Sequence, residues 1–384
     1  MFVKITSIII LILLPFTLDA EVCEKYTHKN FREVLNSYPQ LKELGKGSFG
    51  RVFITRHIEE FNTKKKKNKV LKEVAMKYIA KGKKMSMDDF LLNFYEETEY
   101  MNQINKCQFA SPVLNDEIKI APQFIKCATN GKDEAFILQE LCSSTLTDTE
   151  FKEIYPGWLI SQKLEFFILM LKKLTKLHSC GIVHCDIKPE NILISLNGDD
   201  YYYSDYGLSA NNKNCPGSTE FYAPPEYFEN KTLKFEYLCK HDVYSLGVVF
   251  IDLERLQTRK RFSNTYQSHV EWAIKLQATV DRIFEIHNKY IHMDEAYENN
   301  FNHAKIILDG IMTTLKYMVD IDMRVRLSAN NAIKQFEMLK KLVEGIEFKK
   351  SISVKEFEGN LKNIEKAWKA KLVFKYSTQV NTFI

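Results

Sequence analysis

Arginine is scarce in this chain. Nine of its 54 basic residues are Arg, and none occurs from Lys106 to Phe250. That central stretch has no guanidinium fork, so no side chain in it can grip a phosphate through the paired, planar hydrogen bonds that Lys cannot reproduce. Cysteine occurs eight times in 384 residues, with no C-x-x-C and no His/Cys group at zinc-ligand spacing. A zinc-stapled fold is excluded, and at this length a disulfide scaffold is not expected either. Cys142 and Cys185 lie in segments where bridges look awkward, and Cys107, Cys127 and Cys180 have core-like surroundings. Internal repeats are missing, which removes solenoids and propellers. Only one long apolar run exists, Ile5 to Phe16, so no further membrane span is expected. A formal charge of +5 is modest, and no nucleic-acid partner is expected from it.

What is present begins with that apolar run. Lys4 precedes it, it is too short to cross a bilayer comfortably, and Ala20 follows as a small residue. A charged start, short apolar centre and small exit residue describe a secretory signal peptide over residues 1–20. Leu18 is unusual at the -3 position, so a retained anchor is the alternative. The rest, with 45% hydrophobic and 27% charged residues overall, has the composition of a globular protein. Lys64-Lys65-Lys66-Lys67 concentrates the positive charge. It reads as an inserted turn between two strands, either simply solvated or a contact for an anionic surface. Asn230-Lys231-Thr232 is the one N-glycosylation pattern.

Two short stretches carry the chemistry. His184-Cys185-Asp186-Ile187-Lys188-Pro189-Glu190-Asn191 sets a carboxylate, an ammonium and a carboxamide at i, i+2 and i+5. Asp205-Tyr206-Gly207 adds a carboxylate ahead of a glycine. Phosphoryl transfer from a metal nucleotide needs this set: an Asp to orient the attacking hydroxyl, a Lys to neutralise the moving group, and an Asn and a second Asp to hold Mg²⁺. Upstream, Gly45-Lys46-Gly47-Ser48-Phe49-Gly50-Arg51-Val52 is G-x-G-x-x-G-x-V. A β-like run follows it rather than a helix, so a hairpin over phosphates fits better than a dinucleotide fingerprint. Val74-Ala75-Met76-Lys77 then resembles a strand end carrying a phosphate-binding Lys.

In this order the motifs resemble the eukaryotic protein kinase family, from about Leu41 to about Leu342. The resemblance implies an α+β, two-lobed fold with a small β-rich N-lobe, a larger helical C-lobe, and ATP between them. It implies lobes at 41–141 and 142–342, which leaves, beside the leader at 1–20, a partly helical lead-in at 21–40 and a basic tail at 343–384. It implies Asp186 as catalytic base, Lys188 as its phosphate-contacting neighbour, and Asn191 and Asp205 as Mg²⁺ ligands. Gly45, Gly47 and Gly50 would cover the phosphates and Lys77 would hold them. The partner of Lys77 should be Glu97, with Tyr100 and Met101 on the same helical face, and Glu96 is the alternative. Val52, Ala75 and Leu193 would sandwich adenine. Gln139 would be the gatekeeper, with the backbone of Glu140 and Cys142 at the hinge. Thr219 should bond Lys188 and Asp186, Glu226 should pair with Arg326, and Asp242 should anchor the catalytic loop.

Three departures stand out. Cys185 occupies a position where many kinases carry an Arg that reads a loop phosphate. Tyr206 replaces the Phe of D-F-G, so its hydroxyl needs a partner. Gly217 sits one residue earlier than the family glycine. None removes a phosphate or metal contact. The Lys188-Pro189-Glu190 run is the serine/threonine pattern. The implied protein is therefore a secreted kinase using ATP and Mg²⁺ on protein Ser/Thr hydroxyls, acting in the secretory route or delivered into a host cell. The alternative is a secreted pseudokinase that only binds nucleotide or a protein. Oligomeric state is not legible. Between Phe262 and Asp309 an inserted helix or loop is expected, and a longer loop from Lys106 to Ala121.

Overall fold

The computed structural model describes residues 22–47, 50–63, 66–109, 118–211, 214–229, 232–253 and 298–347. The leader, Lys64, Lys65, Asn230, most of the 262–309 stretch and the 349–384 tail lie outside the described residues. Two compact units form, 22–109 with 122–142, and 118–121 with 143–347. The first is built on a sheet and the second is mainly helical, which is the expected α+β division. Among the described residues no helix is long and apolar enough to cross a membrane.

The first unit contains β1 (Glu24–Lys25), α1 (His28–Asn36), β2 (Lys42–Gly47), β3 (Gly50–Thr63), β4 (Lys66–Ala80), α2 (Met87–Phe109), β5 (Phe124–Thr129) and β6 (Glu134–Glu140). Its six strands run in the order β1-β5-β6-β4-β3-β2, with β1 parallel to β5 and the other pairs antiparallel. Alternation along β3 and β4 sorts side chains by face. Phe53, Val74 and Met76 turn into a core with Phe136 and Leu138, and α1 closes this core with Phe31 and Leu35 at i, i+4. The opposite face presents Val52, Ala75, Lys77 and Gln139, which the strand registers bring into line. The β3–β4 register is continuous from Arg51↔Tyr78 to Thr63↔Lys66. Lys66 and Lys67 thus belong to a strand, which corrects their reading as turn residues; the long cross-strand pairing carries their backbone into the ladder. Helix α2 starts at a reciprocal cap, with Ser86 Oγ accepting from the Asp89 amide (3.0 Å) and donating to its carboxylate (2.6 Å). It buries Phe90, Phe94, Glu97, Met101 and Ile104 on one stripe, so Glu97 is a carboxylate set into an apolar face. The helix continues through Phe109, so Lys106 to Phe109 are not loop.

The second unit contains β7 (Ser144–Thr145), α3 (Thr149–Ile154), α4 (Ile160–Ser179), β8 (Ile192–Ile194), β9 (Tyr201–Tyr203), α5 (Phe235–Leu253), α6 (Glu298–Met318) and α7 (Ala329–Glu347). The apolar face Leu164, Phe167, Leu171, Leu174 and Leu177 of α4 is fully enclosed. Phe167 stacks on Phe250 of α5 at 4.1 Å and tilts against Phe336 of α7 at 5.4 Å. Gly247 lets α5 approach the chain just past α6, since a Cβ there would meet Val319 Cγ1 at 2.9 Å. Arg326 is buried, and each of its three guanidinium nitrogens has a partner. Its guanidinium donates to both Glu226 oxygens (2.5 and 2.9 Å) and to the carbonyls of Asp320 and Lys240 (2.9 and 3.3 Å).

Disulfides correct the sequence reading. Cys23 joins Cys127 (Cα–Cα 4.8 Å) and Cys185 joins Cys215 (5.5 Å). Cys107 and Cys180 are disulfide-bonded as well, and Cys142 and Cys239 lie outside the disulfides. Spacing could not disclose the first bridge, because it depends on β1 lying beside β5 across a separation of 104 residues.

Removing one member of a buried ion pair strands the other without solvent. Arg326→Met should therefore cost about 3–5 kcal/mol, read as a lower urea midpoint at unchanged slope. Arg324→Ala, which breaks an exposed pair with Asp322, should cost no more than about 1 kcal/mol in the same assay.

Candidate functional site

The helical unit places its chemistry on one anchored loop. Asp242 of α5 is fully buried and accepts hydrogen bonds from the backbone amides of His184 (2.7 Å) and Cys185 (2.9 Å). His178, near the end of α4, sits 2.9 Å from the same carboxylate. Burial opposes the Asp242 charge, yet the His178 hydrogen bond and the neighbouring His178, His184 and His241 hold its carboxyl below the ordinary value. This grip keeps Cys185 in the left-handed region at φ 66°, a conformation that a non-glycine residue adopts only when its surroundings impose it. His184 faces the Ser204 carbonyl through Nε2 (3.0 Å) and the Asp186 amide through Nδ1 (3.4 Å).

Asp186 follows, almost completely buried, with four hydrogen bonds converging on its carboxylate. Oδ1 accepts from the amide (2.9 Å) and hydroxyl (2.6 Å) of Thr219. Oδ2 accepts from Lys188 Nζ (2.6 Å) and Asn191 Nδ2 (3.1 Å). Lys188 Nζ also reaches Thr219 Oγ1 (2.9 Å). Asn191 spends its amide nitrogen on Asp186, donating to the backbone carbonyl as well (2.9 Å), which turns Oδ1 away from that carboxylate. Leu193 lies further along on β8, half-buried. Asp205, two residues past β9, has φ 65°. Its neighbour Tyr206 is buried and donates its hydroxyl to the Tyr203 carbonyl (3.1 Å), so the extra oxygen has the partner it needs. Burial and the Asp242 charge push the Tyr206 phenol well above its ordinary pKa.

The sheet unit holds the remaining candidates. Lys77 Nζ donates to Glu97 Oε1 at 2.6 Å, so α2 offers Glu97 to β4. Val52 lies opposite Lys77 in the register and Ala75 opposite Gln139. Gly45 pairs with Val52, and Gly47 with Gly50. Gly50 has φ 150° and no room for a Cβ, which would strike the Tyr78 carbonyl. Glu140 ends β6, with its amide on the Gln123 carbonyl (2.9 Å), and Cys142 is a buried thiol just beyond. The donor set available to a divalent cation, the Asn191 carboxamide oxygen and the Asp205 carboxylate, is hard oxygen throughout and suits Mg²⁺. His178 and Cys215 had no sequence signal. Their contributions arise from distant segments meeting, not from spacing.

Comparison with known proteins gives a consistent outcome. Residues 38–336 match the protein kinase domain family. The chain is 27% identical over 218 residues to the serine/threonine-protein kinase dst2 of Dictyostelium discoideum, covering 56% of this chain and 17% of that protein. It is 25% identical over 309 residues to the probable serine/threonine-protein kinase nek3 of the same organism, covering 78% of this chain and 23% of that protein. A third relative, the serine/threonine-protein kinase SKS1 of Saccharomyces cerevisiae, is 32% identical over 150 residues, covering 34% of this chain and 29% of that protein. The chain thus spans well under half the length of these relatives. With most of its residues matched and the loop chemistry in place, this chain belongs to the protein kinase domain family.

Proposed function

We propose that the protein is a serine/threonine kinase that transfers the γ-phosphate of Mg-ATP to protein hydroxyls in an oxidising, secretory compartment. The observation that carries the reading is the Asp186 carboxylate, held by Thr219, Lys188 and Asn191. Two donors fix each oxygen, so the carboxylate meets an acceptor hydroxyl already oriented, and little reorganisation is left for the reacting state. Asp186 accepts the hydrogen bond of that hydroxyl and then its proton. Lys188, bridging Asp186 and Thr219, is a cation beside the path of the transferred group. Asn191 and Asp205 would hold Mg²⁺, which supplies charge neutralisation of the phosphates when bound. Lys77, kept in place by Glu97, and the Gly45–Gly50 hairpin would take the nucleotide phosphates. Val52, Ala75, Leu193, Gln139, Glu140 and Cys142 would receive the base. Thr219 beside Asp186 supports a pocket for a short hydroxyl side chain.

The cysteine chemistry supports the compartment. Six of the eight cysteines are disulfide-bonded, a state that reducing cytosol does not maintain in ordinary proteins. It agrees with passage into the secretory route, whether the protein stays there or enters a host cell. A secreted pseudokinase would bind nucleotide without transfer.

Asp186→Asn keeps the shape and removes the charge. The expected result is a kcat lower by on the order of 10²-fold or more with ATP affinity nearly unchanged. Turnover within a few-fold of wild type on a generic basic protein would remove Asp186 from the mechanism, and no transfer by the wild type would favour the pseudokinase. Asp205→Ala should abolish the Mg²⁺-dependent part of ATP binding, measured by calorimetry with and without chelator. The segment's hydroxyls predict independence from loop phosphorylation: Ser209 is buried against the His184 carbonyl, Thr219 is committed to Asp186, and Tyr222 donates to Asp252 (3.0 Å). Phosphatase treatment followed by its removal should leave the initial rate within about twofold. A collapse reversed only by rephosphorylation at Ser218 would reject that expectation.

A further inference from the structure

We infer that Cys185 and Cys215 are a covalent positioning pair: their disulfide clamps the segment bearing Thr219 onto the loop bearing Asp186, and opening it lowers turnover. The inference rests on the kinase reading above. Cys185 is anchored on its side, with its amide on Asp242 and its φ in the left-handed region. It directly precedes Asp186. Cys215 stands four residues before Thr219, whose amide and hydroxyl supply both hydrogen bonds to Asp186 Oδ1. The bridge closes a ring with a sequence separation of 30, and Asp186, Lys188, Asn191 and Asp205 all lie inside it. Closing the ring ties the segment's start to the anchored loop, so the bond narrows the range that the segment can reach.

The surroundings fit a bond rather than two thiols that happen to be near. Cys185 and Cys215 are buried in one apolar cluster with Val183, Ala210 and Leu238. A single antiparallel bridge, Val183↔Ala210, brings the two strands of chain together beside them. No Arg lies within this loop or segment, so a guanidinium cannot supply the restraint instead. Cys239 packs against the same cluster as a free thiol, and burial pushes its pKa up to about 12. It is therefore almost never a thiolate and does not reshuffle the bridge from within. Opening requires an external dithiol. One of its thiolates attacks Cys215 Sγ, the S–S bond breaks, and Cys185 leaves as a thiolate and takes a proton. The second thiol of the reductant then displaces Cys215, which takes the other proton. Two electrons move, and the reductant ends as its own disulfide.

The test compares the full-length wild type, oxidised and after dithiothreitol, with Cys215→Ser under both conditions. Initial rates on a generic basic protein are combined with hydrogen exchange of peptides covering residues 214–222 and of α4 peptides as an internal reference. Reduction of the wild type should lower kcat by about tenfold while KM for ATP stays within about twofold, as expected when a positioning restraint is lost rather than a nucleotide contact. Cys215→Ser should start at that lower rate and not respond to dithiothreitol. Exchange at 214–222 should rise in both cases with α4 unchanged. Wild-type kcat and unchanged exchange in Cys215→Ser would overturn the inference. So would a rate loss on reduction that the variant does not reproduce, which would assign the effect to the other bridges. If Cys215→Ser does not fold, exchange of the wild type before and after reduction decides, and a uniform rise that includes α4 counts against the clamp. If the oxidised wild type transfers no phosphate at all, the kinase reading fails, while the exchange pattern still reports on the clamp.

Discussion

The loop that bears Asp186 depends on one buried carboxylate. Asp242 has no contact with solvent, and it is surrounded by His178 and the amides of His184 and Cys185. Isolated in such a place a carboxylate would take up a proton. Here the donors and nearby imidazoles outweigh the cost of burial and keep it charged. The reward is geometric. Two consecutive amides are fixed, Cys185 is held left-handed, and Asp186 leaves the anchored stretch in a direction that Thr219 and Lys188 can meet. Arg326 and Glu226 brace the unit as a second buried ionic contact, with the guanidinium also hydrogen-bonded to two carbonyls and lying over the Tyr244 ring.

Substitutions that look like losses in the motifs have local compensation. A hydroxyl added to the D-F-G aromatic position would be an unpaired polar group in the core, but the Tyr203 carbonyl receives it. A Cys in place of the family Arg removes an ionic handle on the downstream segment, and the same sulfur is bonded to that segment through Cys215. The lead-in is equally integrated. Strand β1 extends the sheet, α1 covers one of its faces, and Cys23 is tied to Cys127.

Much was legible beforehand because short-range chemistry wrote it. The catalytic-loop spacing, the glycine hairpin, the apolar face of α4 and the choice of Glu97 over Glu96 all follow from periodicity or motif order within a few residues. So did the partners of Arg326, Asp242 and Thr219, but only through the family resemblance, since no local pattern links residues that far apart. The disulfides were misread for the same reason. Eight cysteines in a long chain say little about pairing when each bridge needs two distant segments to meet with correct geometry.

By itself, then, the sequence determined the order and spacing of the protein kinase motifs and which elements carry them, because spacing along a helix, hairpin or loop is a local property. Only the tertiary structure decided that Lys66 and Lys67 extend a strand, that Tyr206 finds a carbonyl, and that Cys185 closes on Cys215. Each of those outcomes depends on chain segments brought together by burial of apolar surface, and burial is a property of the whole fold rather than of any window of residues.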